Sequence, residues 1–232
     1  VLAALATGGT VVVSQYLGAN RISQARDASN QVVLTVFSGA TILALLIAIG
    51  RKGLLMLLFG SIEADVMEAA LTYLVVSVIS YPFLGLYNAY AALFRAMGKT
   101  SVTFYTSIVG NILNIAGNAI CIFGLHMGVL GVAIPSLISR AVMALILCIC
   151  LKNPAHTLSI PRLSFRPEME QIRKILYIGI PGGIENALFQ GGRVLVVSII
   201  SLFGTTQIAA NGIANNLDTM GCMVGQAMNL AM

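Results

Sequence analysis

The amino-acid sequence predicts an all-α protein, a bundle of transmembrane helices that crosses the bilayer several times. Of its 232 residues, 58% are hydrophobic and only 9% are charged, about a third of the charge usual in a soluble domain. The apolar residues fall in runs of about 20, long enough for a helix to cross ~30 Å of hydrocarbon. These runs lack the alternation with a period of two residues that a membrane barrel requires, so helices remain as the way to pair the backbone in lipid.

The apolar runs predict seven helices. Each is a continuous apolar stretch, and in chain order they cover residues 1–19, 28–50, 70–94, 101–123, 128–150, 174–203 and 206–232. The first run begins at Val1 without a signal-peptide pattern, and the last is still apolar at Met232. We therefore expect the chain to be a fragment of a longer protein.

Prolines lie inside three of the predicted helices. Pro82 and Pro135 are expected to kink the third and fifth helices, because proline lacks the N–H that a helix interior needs. In the sixth helix, Pro181 is followed by Gly182 and Gly183, where we expect the helix to break and free its backbone carbonyls.

The connections between the runs differ in charge. Counted in alternate connections, one side of the membrane has only Arg51 and Lys52, whereas the other has nine basic residues: Arg21, Arg26, Arg95, Lys99, Lys152, Arg162, Arg166, Arg173 and Lys174. Because basic loops stay in the cytoplasm, the richer side is assigned there. The proline-containing segment 152–171 is predicted to be a cytoplasmic linker between two helix bundles, residues 1–151 and 172–232.

Four charged side chains lie inside the apolar runs: Arg140, Glu185, Arg193 and Asp218. A charge near the bilayer centre costs at least ~2.5 kcal/mol and is rarely kept without a partner or a water-filled cavity. Glu185 follows Lys174 by eleven residues, or roughly 16 Å along a helix, which places it near the midplane.

Amide and hydroxyl side chains form polar faces on three predicted helices. At 100° per residue, one face unites Asn186, Gln190 and Arg193; the others are Ser107, Asn111, Asn114 and Asn118, and Gln207, Asn211 and Asp218. These faces predict an internal aqueous cavity, shared by the fourth and sixth predicted helices. The alternative is that the amides join helices through interhelical hydrogen bonds.

Several function classes are disfavoured by the sequence. It contains no nucleophile-elbow, zinc-protease or phosphate-loop motif, so we do not expect an enzyme. The four cysteines lie inside apolar runs without metal-ligand spacing, and His126 and His156 lie in connections. The basic residues flank membrane spans rather than forming one patch, so nucleic acid is not an expected partner.

Six sequence motifs, in order, resemble helices two and four to eight of the multidrug and toxic compound extrusion (MATE) transporters. They are VVVSQYLGAN (11–20), LFRAMGKT (93–100), NILNIAGN (111–118), GVLGVAIPSLISR (128–140), GIPGGIENALFQGGR (179–193) and IAANGIAN (208–215). The resemblance covers nearly the whole chain and implies a parent of twelve helices in two lobes. Residues 1–151 would then belong to the N-terminal lobe without its first helix, and 172–232 would be the first two helices of the C-terminal lobe.

The resemblance implies export of organic cations and other amphipathic drugs in exchange for H⁺ or Na⁺, with no cofactor. It suggests Glu185 as the coupling carboxylate, with Na⁺ bound there if Na⁺ is the coupling ion. Among the charged residues inside the apolar runs, Asp218 is the competing candidate. The cavity would be lined by Asn114, Asn118, Asn186, Gln190 and Asn211. Asn118 departs from the pattern of many members, which carry Asp at this position.

We expect a monomer in the inner (plasma) membrane, with the lipid bilayer and small amphipathic or cationic substrates as its partners. The closest alternative is a flippase for lipid-linked polysaccharides or lipids, since related exporters share the bundle design. Such a flippase would be expected to carry more inward Arg and Lys. A fragment of a membrane enzyme or receptor is the second alternative.

Overall fold

The computed structural model describes residues 2–59, 64–153, 158, 168–201 and 205–231. In those ranges the chain forms seven α-helices and no strand, which confirms the all-helical prediction and its number of helices. The helices are α1 (Leu2–Gly18), α2 (Ile22–Phe59), α3 (Ala64–Ala96), α4 (Thr100–Ala119), α5 (Leu130–Lys152), α6 (Met169–Ser201) and α7 (Thr205–Ala231). A π-helical turn, Ile120–Gly124, continues α4.

Within the residues that the structure describes, four helices are long and apolar enough to cross a membrane. These spans are Ile22–Gly53 in α2, Met67–Ala96 in α3, Thr100–Gly124 in α4 with its π-helical turn, and Leu130–Lys152, which is the whole of α5. The apolar helix α1 is shorter, with 17 residues. Helices α6 and α7 have 33 and 27 residues, and polar side chains such as Glu185 and Asp218 interrupt their apolar runs.

The helices extend beyond the apolar runs that predicted them. Helix α2 begins at Ile22 rather than at residue 28, and it continues past Arg51 and Lys52 to Phe59. A hydropathy pattern marks only the part of a helix that lies in hydrocarbon, whereas the backbone hydrogen bonds can continue through the headgroup region. The charged residues near both ends of α2 are therefore helical.

The chain divides into two compact units, residues Val1–Gly183 and Ile184–Met232. The first unit contains α1 to α5 and the first half of α6, and the second contains the rest of α6 and α7. Most of the predicted linker 152–171 lies outside the described residues, including its prolines, His156, Arg162 and Arg166. The division into lobes at this linker stays a prediction.

The core of the first unit is formed by α1, α2, α3 and α5. Helix α3 packs against α1, α2 and α5, while α4 packs mainly against α5. The largest fully buried apolar side chains of the first unit are those of Val13, Val32, Val36, Leu93, Phe94, Leu147, Leu151, Leu158 and Ile175. Burial of such side chains excludes lipid and solvent from the seam between helices and fixes the helices by van der Waals contact.

Small residues allow close approach of the helices in the first unit. A Cβ atom added to Gly8 of α1 would lie 2.8 Å from the backbone nitrogen of Gly179 in α6. A Cβ on Gly85 of α3 would lie 2.7 Å from the Cβ of Ala40 in α2. Contacts of this kind bring two backbones together, as is common where membrane helices associate.

The turn between α3 and α4 depends on a glycine. Gly98 has a φ of 71°, a left-handed conformation that glycine adopts without a Cβ clash. The backbone N–H of Lys99 donates to the carbonyl of Phe94 (2.9 Å), and that of Gly98 donates to the carbonyl of Arg95 (2.9 Å). This hydrogen-bond pattern ends α3 at Ala96, and α4 begins at Thr100, two residues after Gly98.

Helix α6 runs without interruption from Met169 to Ser201, with Pro181 inside it. The expected break at Pro181–Gly182–Gly183 is therefore wrong. A proline removes one backbone hydrogen bond, but the neighbouring hydrogen bonds can keep the helix continuous, with a kink at most. Pro82 and Pro135 likewise lie inside continuous helices, α3 and α5.

Polar side chains join the C-terminal end of α1 to the start of α6. The Tyr16 hydroxyl donates to Oε1 of Gln171 (3.4 Å) and accepts from Nζ of Lys174 (3.4 Å). Lys174 also forms an ion pair with Glu170, in which Nζ of Lys174 donates a hydrogen bond to Oε1 of Glu170 (2.7 Å). This hydrogen bond lowers the pKa of the Glu170 carboxyl. The pair is solvent-exposed, so it positions the side chains more than it stabilises the fold.

Candidate functional site

A cluster of polar side chains joins α4 to α5 within the first unit. Nδ2 of Asn114 donates to the hydroxyl of Ser136 (3.1 Å) and lies 3.5 Å from that of Ser139. Nδ2 of Asn118, one turn along α4, donates to Oδ1 of Asn114 (3.2 Å). The Oδ1 atom of Asn118 is buried and accepts no hydrogen bond from any residue that the structure describes. The cluster therefore retains one unsatisfied acceptor.

The predicted polar face of α4 is largely reproduced. Ser107, Asn114 and Asn118 are half-buried, whereas Asn111 is exposed. Ser107 is joined to α3, because its hydroxyl lies 2.8 Å from that of Tyr87. The opposite side of α4 carries exposed apolar side chains such as Tyr105 and Ile112, as expected for a surface that faces lipid.

Arg140 lies on α5, one helical turn beyond Ser136, and its Nη1 atom donates to the hydroxyl of Ser80 on α3. Ser80 is 1% exposed, and its own hydroxyl donates to the carbonyl of Ser77 (2.6 Å). The sequence singled out Arg140 but not Ser80, Ser136 or Ser139. Serine is common in membrane helices, so the presence of a serine does not by itself indicate a functional site. Only the spacing of residues 136, 139 and 140, which share one face of α5, could have pointed to Ser136 and Ser139.

In the second unit, the predicted residues of α6 lie on exposed positions. Glu185, Asn186, Gln190 and Arg193 are all exposed within their unit. Glu185 is sixteen residues from either end of α6, so it occupies the midpoint of the helix. The depth of its carboxylate in the bilayer stays a prediction.

A cleft of about 510 Å³ lies between α6 and α7 of the second unit. Its lining unites two predicted residues, Arg193 and Asn211, with Asn215, whose Oδ1 lies 3.5 Å from Nη2 of Arg193. Glu185 and Asp218 are not part of this lining. Asp218 instead has its Oδ1 atom 3.9 Å from the thiol of Cys222. The two candidate coupling acids are thus outside the cleft.

Chemically, the described side chains suit binding by hydrogen bonds and single charges. Within the described ranges, no three His, Cys, Asp or Glu side chains group closely enough to hold a metal ion. The polar groups found at mid-helix are amides, hydroxyls, guanidinium groups and the carboxylates of Glu185 and Asp218. Such groups recognise polar and charged parts of small molecules, and a carboxylate can also hold a proton or Na⁺.

The MatE family profile matches residues 1–120 of this chain. Among curated relatives, an uncharacterized transporter of Bacillus subtilis, YisQ, is 29% identical over 97% of this chain and 50% of its own length. A probable multidrug resistance protein of Thermotoga maritima, NorM, is 27% identical over 100% of this chain and 50% of its own length. The chain therefore spans about half the length of the curated relatives that it matches.

Solved structures show the same fold. A MATE protein crystallised in the bent conformation superposes with a TM-score of 0.87 at 19% identity, covering 99% of this chain and 51% of the solved chain. The Vibrio cholerae MATE transporter VcmN in its bent form gives a TM-score of 0.85 at 21% identity, covering 100% and 52%. These likenesses, with the profile match over half of the chain, agree with the motifs read from the sequence. The chain belongs to the MATE family, a family of multi-pass membrane transporters rather than enzymes.

Proposed function

We propose that this chain is part of an efflux transporter that exports amphipathic organic cations in antiport with H⁺ or Na⁺. Relatives with matching sequence are named as multidrug resistance or multidrug export proteins. Polar side chains at mid-helix in both units support the proposal, because a substrate crossing a bilayer must exchange water for polar groups at that depth. The transporter would work by alternating access in the plasma membrane.

The proposed coupling group is the carboxylate of Glu185, and its position carries the proposal. It lies at the midpoint of a 33-residue helix, as the competing candidate Asp218 does in α7, and a carboxylate at mid-helix depth is costly unless it binds a cation or a proton. Either cation would neutralise it, and release of the cation would restore the charge. The carboxylate therefore has a neutral, cation-bound state and a charged, cation-free state that differ in free energy, as ion coupling requires.

Amide side chains are proposed to contact the substrate. In the first unit these are Asn114 and Asn118, and in the second unit Asn186, Gln190 and Asn211. Asn118 supports this role because its buried Oδ1 atom accepts no hydrogen bond from the described residues, so a substrate N–H or O–H would satisfy it. An amide cannot titrate near neutral pH, so Asn118 cannot itself carry the coupled proton.

The test of the coupling role is cation-driven dye export by two matched variants. Glu185→Gln keeps the shape of the side chain but removes its charge, and Asp218→Asn does the same on α7. Ethidium transport would be followed in inside-out vesicles containing the full-length transporter, with an imposed H⁺ gradient in one series and a Na⁺ gradient in another.

We expect Glu185→Gln to abolish gradient-driven transport while ethidium binding largely survives, and Asp218→Asn to retain transport. The active gradient in the unmodified transporter identifies the coupling ion. Near-normal transport by Glu185→Gln together with loss in Asp218→Asn would assign coupling to α7 instead. Absence of gradient-driven transport of any organic cation by the unmodified protein would contradict the proposed function itself.

A further inference from the structure

A cavity of about 450 Å³ lies between α1, α2 and the first half of α6, and all of its lining residues belong to the first unit. One residue of α1, five of α2 and two of α6 line it. Five of these eight residues are leucine or isoleucine, and none of the eight is charged. Small-molecule sites are usually mostly apolar and have volumes of about 300–1,000 Å³, so the cavity has the size and lining of such a site.

The hydroxyl group of Thr35 is buried at this cavity without a hydrogen-bond partner. Thr35 lines the cavity and is 7% exposed, and its Oγ1 atom makes no hydrogen bond to any residue that the structure describes. By contrast, Thr10, Thr41 and Thr106 each donate to the carbonyl four residues earlier in their own helix, a common way to satisfy a hydroxyl in a helix. Both the donor and the acceptor capacity of the Thr35 hydroxyl therefore remain for a ligand.

The position of Thr35 along α2 keeps its hydroxyl far from bulk water. Thr35 lies thirteen residues after the start of the apolar span Ile22–Gly53, or about 20 Å at 1.5 Å per residue. In a helix that crosses the bilayer, a group at this position is surrounded by hydrocarbon or protein rather than by water. Because a buried hydroxyl without a partner is unfavourable, the cavity favours a ligand that brings a polar group to Thr35.

Ser38 adds a second polar atom to the lining. It lies three residues after Thr35 on the same face of α2, and its hydroxyl donates to the backbone carbonyl of Thr35 (3.1 Å). The hydrogen atom of Ser38 is therefore used, whereas its oxygen can still accept. A ligand hydroxyl can use both residues, because it accepts from Thr35 and donates to Ser38. A ligand carbonyl or ether could use only the donor.

We propose that this cavity binds a neutral compound that has an apolar body and one hydroxyl group, such as a phenol. The leucine and isoleucine side chains would contact the apolar body. Ser38 and Ile42 are exposed on α2, so the compound would enter from the bilayer. A charged compound is disfavoured, because no lining residue could neutralise it at this depth. The site lies outside the polar cluster of α4 and α5, so the inference goes beyond the proposed cation efflux and does not depend on it.

The alternatives are that a lipid acyl chain, which needs no hydroxyl, fills the cavity, or that another part of the full-length protein covers it. We would photolabel the full-length transporter in nanodiscs with a phenol that carries a diazirine group, and map the adducts by mass spectrometry of peptides. Labelling would be competed with para-tert-butylphenol and with para-tert-butyltoluene, which has a methyl group in place of the hydroxyl. Competitor concentrations would be measured in the lipid phase, so that differences in partitioning do not affect the comparison.

We expect saturable labelling within residues 34–42 or 172–176. The phenol should compete about three- to tenfold more strongly than the toluene, the effect of a neutral hydrogen bond. Thr35→Val, which keeps the shape and removes the hydroxyl, should abolish this preference, whereas Thr35→Ser should retain it. Thr41→Val is the matched control, because the Thr41 hydroxyl donates within its own helix (2.8 Å) and does not line the cavity.

Equal competition by the two compounds at these residues would show an acyl-chain groove and overturn the proposal. Labelling that does not saturate, or that falls only elsewhere, would show that lipid or another part of the protein covers the cavity, and would also overturn it. If Thr35→Val does not fold, Thr35→Ala provides the same test. A preference for the phenol that persists without the Thr35 hydroxyl would refute the site as proposed. Ethidium transport by the unmodified protein tests the proposed function separately.

Discussion

Gly8 shows how a single residue sets the spacing of two helices. Its missing side chain lets α1 contact the backbone of α6 directly, at Gly179 and at the carbonyl of Ile175. Backbone atoms cannot move aside as a flexible side chain can. We therefore regard Gly8 as the residue whose size is most strictly limited on α1.

We predict that Gly8→Ala lowers the stability of the folded protein by about 1–3 kcal/mol, the usual cost of overpacking. The added Cβ would lie within 3.0 Å of three backbone atoms of α6. Thermal unfolding of the purified protein in detergent checks this, with Gly50→Ala as the control, because a Cβ at Gly50 meets nothing within 4 Å. Equal melting temperatures for the two variants would contradict the packing described here.

Asn114 illustrates what residue type and spacing can and cannot predict. The helical period put Ser107, Asn114 and Asn118 on one face, and the structure agrees. The sequence could not identify their partners, because a serine such as Ser136 can also satisfy its hydroxyl within its own helix, by donating to the carbonyl of Val132 (2.9 Å). Which neighbouring helix supplies a partner depends on packing, and packing is not encoded in one segment.

At the scale of elements, the pairing of α4 with α5 is the contact that carries the polar cluster. Gly117 of α4 faces Pro135 of α5, and an added Cβ there would lie 2.8 Å from the Cβ of Pro135. The close crossing brings Asn114 within hydrogen-bonding distance of Ser136. Small residues at the crossing and polar residues beside it are the usual combination between membrane helices.

We predict that Asn114 and Ser136 are energetically coupled. In a double-mutant cycle with Asn114→Ala and Ser136→Ala, the coupling free energy should be about 0.6 kcal/mol and below ~1.7 kcal/mol, the range measured for hydrogen bonds between membrane helices. Unfolding of the purified protein provides the free energies. The control cycle pairs Asn114→Ala with Thr103→Ala, since the Thr103 hydroxyl donates to the carbonyl of Thr100 in its own helix (2.7 Å). Strict additivity in the first cycle would argue against the bond.

The helices themselves were predictable because lipid imposes a minimum length and excludes unpaired backbone groups. The ends of α2 were not predictable, because polar residues such as Arg26 and Lys52 continue the helix outside the hydrocarbon, where the hydropathy pattern does not mark a helix. The break expected at Pro181 was wrong for a related reason. A proline shows where a backbone hydrogen bond is missing, but the remaining contacts of the helix decide whether it stays continuous.

At the scale of the whole molecule, the distribution of basic residues predicts how the chain lies in the membrane. The turn between α1 and α2 contains Arg21, and the turn between α3 and α4 contains Lys99. The connection between α4 and α5 contains His126 and no Lys or Arg. Because α1 to α4 alternate in direction if each crosses the bilayer, the basic turns share one side, which we assign to the cytoplasm.

We predict that a cysteine at position 21 is protected from an impermeant maleimide in intact cells, whereas one at position 126 reacts. Both would be introduced into a cysteine-free variant of the full-length transporter, in which Cys121, Cys148, Cys150 and Cys222 of this segment are replaced along with any others. After permeabilisation, both positions should react. Reaction of the residue-21 cysteine in intact cells would reverse the assigned orientation.

Helix α2 is long enough that its tilt in the membrane should depend on bilayer thickness. Its 38 residues extend about 57 Å, whereas a bilayer with its headgroups is about 45 Å thick. A helix of this length must tilt, project into water, or thicken the lipid around it, each at an energetic cost that depends on acyl-chain length. Helix α2 packs directly against α1 and α3, so lipids of different acyl-chain length would change the tilt of all three helices together. The lipid composition of the membrane would then influence the conformation of the first unit.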